Sequence, residues 1–248
     1  MAGHSKFKNI MFRKGAQDKK RAKIFAKLGR EIQIASKQGG ADPDSNHRLR
    51  TAIDAAKAAN VPKDNIERAI KKGSSNETNN LEEIKYEGFG PGGTSLIVET
   101  MTDNKNRTVS EIRQIFSKSG GSIADNGSVS HSFERKGELI YKVGKDLENK
   151  IFDLAIEENA DDITSDGETQ IIYCKPELIN KIKEKVSTLS IEPLSVALTW
   201  ISSNKISIDG EEAKKLFHLI DQLEDNEDVQ SISSNYDVSD DFLNEINN

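Results

Sequence analysis

Asp18-Lys19-Lys20-Arg21-Ala22-Lys23-Ile24-Phe25-Ala26-Lys27-Leu28-Gly29-Arg30-Glu31-Ile32 carries two faces at once. At about 100° per residue, Phe25, Leu28, Ile32 and, just beyond, Ala35 fall on one stripe, while Lys19, Lys23, Lys27, Arg30 and Lys37 gather almost opposite. The spacing predicts a helix with a core side and a basic side, running to about Gln38 and stopped by Gly39-Gly40. Arg21 sits near the apolar stripe, in the first turn, where a long stem reaches past a thin core edge.

Upstream, Met1 to Gly15 reads as an extended basic arm in which Lys6, Lys8, Arg13 and Lys14 alternate with Phe7, Ile10, Met11 and Phe12. Aromatics among cations can stack on bases or pin the arm to the helical module. Downstream, Asp42-Pro43-Asp44-Ser45 supplies turn and N-cap chemistry for a second helix, Asn46 to Ala59, with Leu49, Ala52, Ile53 and Ala56 inward. Pro62 opens a third helix through Ile66, Ala69 and Ile70, and Gly73 ends it. Ser74 to Asn80 is polar and core-free, a linker.

Beyond the linker the periodicity changes to that of strands, Leu81 to Tyr86 and Thr94 to Met101, around a Gly-Pro-Gly turn. A helix from Asn106 to Ser119 and a strand from Val129 to Glu134 follow. From Leu139 to Trp200 the order is β-α-β-β-α-β, the ferredoxin-like pattern. The tail adds a strand, a helix and a strand, the parts missing from the half-built unit before residue 136, since isolated β-α-β pieces cannot bury a sheet face. The expected architecture is α+β and multidomain: a helical bundle (1–76), a discontinuous middle α/β domain (77–136 plus 204–248) and an inserted α/β domain (137–203), the last two both ferredoxin-like.

Charge is segregated along the chain. Residues 1–72 hold 18 Lys and Arg against 7 Asp and Glu, a net +11; the other 176 hold 17 against 34, a net −17. A basic module on an acidic body points to a polyanion partner for the module. The overall −6 conceals this.

Catalytic constellations are missing from the pattern. Gly88-Phe89-Gly90-Pro91-Gly92-Gly93 satisfies G-x-G-x-x-G but opens a strand instead of a helix, so it reads as a turn. His4, His47, His131 and His218 lack metal-ligand spacing, and Cys174 closes an apolar strand as a core residue. A single cysteine fits a reducing compartment, and neither a signal peptide nor an apolar membrane span is present. No catalytic, cofactor-binding or metal-binding residue is assigned, and no small-molecule substrate or membrane partner is expected. Thr102-Asp103-Asn104-Lys105-Asn106-Arg107-Thr108 has two readings: helix capping, or a phosphate grip through Asn104, Lys105, Asn106 and Arg107.

Gly3-His4-Ser5-Lys6, Gln17 to Arg21, Arg30-Glu31-Ile32, Asn60-Val61-Pro62-Lys63-Asp64-Asn65-Ile66, Tyr86 to Pro91, Thr102-Asp103-Asn104, Asn106-Arg107-Thr108 and Asn235-Tyr236-Asp237 resemble, in order, the motifs of the YebC family. Its bacterial members are named probable transcriptional regulatory proteins, and its mitochondrial relatives are translational activators of cytochrome c oxidase subunit I. Phe7 stands where the family usually has Trp, and Phe89 where Tyr is common. The resemblance implies a helical N-terminal domain followed by two α/β domains, a cytoplasmic location, no known catalysis or cofactor, and nucleic-acid binding.

Two functions fit. One is a DNA-binding transcriptional regulator gripping phosphate with Lys6, Lys8, Arg13, Lys14, Lys19, Lys20, Lys23, Lys27, Arg30 and Lys37. No base-reading helix-turn-helix stands out in the sequence, so weak sequence specificity is expected. The other is a ribosome-associated translation factor whose basic face docks on ribosomal RNA and relieves stalling, for example at proline runs. Oligomeric state is not legible.

Overall fold

The structure is a computed structural model and describes residues 17–75, 81–165, 168–239 and 242. Three helices come first: α1 (Gln17–Gly39), α2 (His47–Ala58) and α3 (Lys63–Ser74). The apolar stripe of α1 behaves as its spacing predicts, with Ile32 and Ala35 buried and Phe25 and Leu28 packed at the edge of a core shared with Leu49, Ala52, Ile53, Ala56, Val61, Ile66 and Ala69. Asn46 caps α2, accepting from Leu49 N–H at 3.0 Å, while its amide donates to the carbonyls of Ala35 and Gly40 at 2.8 Å. One buried side chain thus closes the end of α1 and the start of α2. Gly73 lies within α3 instead of ending it. A Cβ there would stand 2.2 Å from the Gln33 carbonyl oxygen, so the glycine is what lets α3 cross α1 closely.

The first sheet combines β1 (Glu82–Phe89), β2 (Ser95–Thr102), β3 (Ser122–Ala124) and, far along the chain, β9 (Val229–Ser234), all antiparallel in the order β3-β1-β2-β9. α4 (Lys105–Lys118) follows β2, and α7 (Gly210–Asp225) precedes β9. Both bury one face over Tyr86, Leu96, Val98 and Val229, through Ile112, Phe116, Leu216, Ile220 and Leu223. A ferredoxin-like order was expected here. The structure differs because the tight Gly90–Gly93 turn pairs β1 with its immediate successor, making a hairpin the centre of the sheet. β3, a strand of three residues, escaped sequence reading.

The second sheet is built from β4 (Phe133–Lys142), β5 (Asp162–Ser165), β6 (Thr169–Cys174) and β7 (Ser195–Ser202), with α5 (Lys145–Glu157) and α6 (Ile179–Ser187) between them. Its order, β5-β6-β4-β7, places the first and third strands centrally with the second and fourth outside, the arrangement a β-α-β-β-α-β run makes when both crossovers pack on one face. Leu139, Tyr141, Ile151, Ala155, Ile172, Ile182 and Val186 fill that face. The chain then forms β8 (Ile206–Ser207), α7, β9 and β10 (Tyr236–Asp237), β10 running parallel to β8.

Trp200 of β7 joins the two sheets. Lys85 Nζ and Arg135 Cζ each lie 5.0 Å from its ring centroid, and its Nε1–H donates to Glu99 at 3.2 Å. Ile97, Val129 and Phe133 pack beside it. Val129 to Glu134 is not one strand. Residues 130–132 form a short 3-10 turn, because the backbone N–H groups of Val129 and Ser130 donate to the fully buried Glu87 carboxylate at 2.8 and 2.9 Å. Burial alone would raise the pKa of Glu87; those backbone donors outweigh it and hold the group down at about 2.

Candidate nucleic-acid interface

Ile34 is the first sign that the basic side of α1 does not face water. It falls in the middle of that face, between Lys27, Arg30 and Lys37, and is only 2% exposed. Across from Lys23, Lys27 and Arg30 stand the end of α7 and the turn into β9. Lys23 Nζ meets Asp225 Oδ1 at 2.6 Å, and Lys27 Nζ donates to the Glu224 carbonyl at 3.3 Å. Arg30 donates to Asp228 Oδ1 at 3.0 Å, to the Met101 carbonyl at 3.3 Å and to the Glu227 carbonyl. Burial lowers the pKa of Lys27, and the nearby Glu224 and Asp225 charges only partly offset this.

Asp228 is the centre of the contact. It is 3% exposed and receives Arg30, Arg107 Nη2 at 2.8 Å and Thr108 Oγ1 at 2.7 Å. Burial pushes its pKa up; the hydrogen bonds from Arg107 and Thr108, with the charges of Arg107 and Arg30, reverse that and keep it ionised below the ordinary carboxylate range. Asn104 accepts from Arg107 N–H at 3.1 Å and caps α4, while Arg107 also reaches Asp103 at 3.0 Å. The loop from Asn104 to Arg107 caps α4, with Arg107 turned to Asp228 and Lys105 and Asn106 exposed at the rim.

The second helix is fastened as well. Arg48 donates to Glu31 at 2.8 Å, to Gln38 at 2.7 Å and to Glu83 of β1. Asp54 receives Lys183 of α6 at 2.8 Å. The hydrogen bonds to Arg48 hold Glu83 below its ordinary pKa against the opposing effect of burial.

The ten cations named from the sequence thus fall into separate groups. Lys6, Lys8, Arg13 and Lys14 lie outside the described residues, as do the side chains of Lys19 and Lys20. Lys23, Lys27 and Arg30 were expected on a solvent-facing surface and are instead turned onto the scaffold, because Asp225, Asp228 and the carbonyls around them stand across from α1. Lys37 reaches the Leu81 carbonyl at 3.4 Å and stays exposed. Sequence reading counted charge but overlooked Ile34, an isoleucine set among lysines that marks a covered face.

α3 presents the opposite case. Ile66, Ala69 and Gly73 face the core, and Lys63, Asp64, Asn65, Glu67, Arg68, Lys71 and Lys72 are exposed. Lys63 and Glu67 pair along the helix at 3.5 Å. Elsewhere, no cluster of three or more His, Cys, Asp or Glu is placed to hold a metal among the described residues. Cys174 is fully buried, and burial pushes its thiol pKa up to about 11, away from nucleophilic chemistry. No described helix is long and apolar enough to cross a membrane.

The molecule is thus an α+β protein in which a basic three-helix module is docked on two antiparallel sheets. The TACO1/YebC N-terminal domain model matches residues 5–76, and the model of the TACO1/YebC second and third domain matches 81–236. The chain belongs to the TACO1/YebC family. It is 47% identical over 243 residues to a protein of Zymomonas mobilis named "Probable transcriptional regulatory protein ZMO0153", covering 98% of each chain. A crystal structure of a conserved hypothetical protein from Aquifex aeolicus, Aq1575, superposes with a TM-score of 0.84 at 41% identity, over 90% of this chain and 93% of that one.

Proposed function

We propose that this protein is a non-enzymatic, nucleic-acid-binding regulator of gene expression, working in the cytoplasm with DNA as its polymer. The observation that carries the reading is the net +11 of residues 1–72 set against −17 in the remainder. Internal contacts consume part of that excess at Lys23, Arg30 and Arg48, and Lys57, Arg68 and Lys71 remain exposed on α2 and α3. The sequence adds Lys6, Lys8, Arg13 and Lys14 to the same charge excess. The name of the 47% identical relative supports a regulatory role.

Fluorescence-anisotropy titration of the whole chain against duplex DNA across a salt series tests this. If about six phosphates are neutralised, log affinity falls with log salt at a slope near −5. A flat response, or no binding at low salt, contradicts the reading. Co-sedimentation with ribosomes at low salt, coupled with preference for ribosomal RNA over duplex DNA, would replace it by the translation-factor reading.

A further inference from the structure

α2 and α3 are joined by four residues, Ala59 to Pro62, in a turn closed from both sides. Asn60 sits at φ 59°, its N–H donating to the Lys57 carbonyl at 2.9 Å, and Val61 N–H reaches back to the Ala56 carbonyl at 2.9 Å. Pro62 then offers its carbonyl to Asn65 and Ile66 N–H. Ala52 and Ala56 on α2, with Val61 in the turn and Ile66 and Ala69 on α3, make the small-residue core that lets the two helices meet near this corner, with α1 lying across both. Two helices joined by a short turn, the second with an exposed outer face, share the connectivity of a helix-turn-helix.

We infer that α3 is the groove-entering helix of this module and that its exposed face docks in the major groove of duplex DNA, a reading that rests on the function proposed above. On α3, Asp64, Arg68 and Lys71 follow one another at i, i+4 and i+7, diametrically opposite the buried line of Ile66, Ala69 and Gly73. Lys63 and Glu67 flank that stripe on one side, Asn65 and Lys72 on the other. Four cations against two acids suit a polyanion, and the side-chain types are those that read base edges: Arg on guanine, Asn on adenine, carboxylate on the cytosine amino group. Twelve residues span about 18 Å, enough to cross a groove about 12 Å wide. The contacts of Lys23, Lys27, Arg30, Arg48 and Asp54 anchor α1 and α2 to the scaffold and leave the outer side of α3 in solvent. The deep, narrow major groove of A-form RNA does not admit such a helix, so docking of this kind disfavours double-stranded RNA.

The test is selection of the full-length chain on a pool of random-sequence duplex DNA, followed by titration of wild type, Arg68→Ala and Asp64→Ala on the enriched duplex, on the unselected pool and on double-stranded RNA. The inference expects an enriched motif, a loss of about tenfold or more on that motif for Arg68→Ala with little change on the pool, and weak RNA binding. Both side chains are exposed, and a thermal melt unchanged from wild type shows that the variants fold. Salt-dependent duplex binding with no enriched motif, or with both variants within about twofold of wild type, overturns the assignment of α3 and leaves the proposed function standing. No binding to either polymer at low salt overturns both.

Discussion

Helices α1 and α3 are neighbours in one module and both are rich in lysine and arginine, yet their cations meet different surroundings. Lys23, Lys27 and Arg30 of α1 face Asp225, Asp228 and the carbonyls around them; Lys63, Arg68 and Lys71 of α3 are exposed. The lesson is that a basic stripe is defined by what stands across from it. The same lysine that grips phosphate on an open helix is a fastening on a covered one, and an apolar residue centred in the stripe, as Ile34 is, tells the two apart.

The sharpest way to break this comparison is to remove the acid on which α1 is anchored. Asp228→Ala leaves Arg30, Arg107 and Thr108 without their shared partner, and it is expected to destabilise the chain by about 3 kcal/mol, read as a shift in denaturant midpoint. A loss below about 1 kcal/mol would mean that water replaces the carboxylate and that α1 is only resting there.

Glu87 serves as a reference outside both helices. Its folded-state pKa of about 2 lies below the ordinary 4.5, so its contribution to stability is complete above about pH 4.5 and fades as the pH falls toward 2. Glu87→Gln should flatten that acid limb and cost about 2 kcal/mol at neutral pH, because two buried backbone donors then meet a weaker acceptor. An acid limb equally steep in the variant would assign it to other carboxylates.

The turn that aims α3 gives a smaller effect. Asn60→Val, a β-branched residue at φ 59°, is expected to lose about 1–2 kcal/mol, and Asn60→Gly to stay within a few tenths of wild type. Equal stability of the two variants would show that the corner relaxes and does not fix the direction of α3. Smallest of all is the rim pair: Lys23→Gln or Asp225→Asn, at partners 39% and 68% exposed, should change stability by less than about 0.5 kcal/mol and vanish in high salt.

Much of this architecture was legible in the order of residues. The stripe of Phe25, Leu28, Ile32 and Ala35 announced the core side of α1, and the alternation from Leu139 to Trp200 announced β-α-β-β-α-β, because both depend on local periodicity. The order β3-β1-β2-β9 was not, since it turns on which strands pair across more than a hundred residues. The orientation of α1 was hidden for the same reason: Lys23 and Asp225 are 202 positions apart. Ala52, Ala56 and Ala69 were legible as inward-facing from their spacing, whereas the tightness of the turn between α2 and α3 was not, because its left-handed residue is Asn60 where glycine would have drawn attention.

Lysine reactivity toward an amine-acylating reagent, measured residue by residue on the full chain with and without duplex DNA, addresses the distinction between the two helices directly. The account predicts that adding DNA leaves the reactivity of Lys23 and Lys27 unchanged, while Lys63 and Lys71, exposed in the free protein, become protected. Fast reaction at Lys23 and Lys27 that DNA suppresses, with Lys63 and Lys71 indifferent, would contradict it.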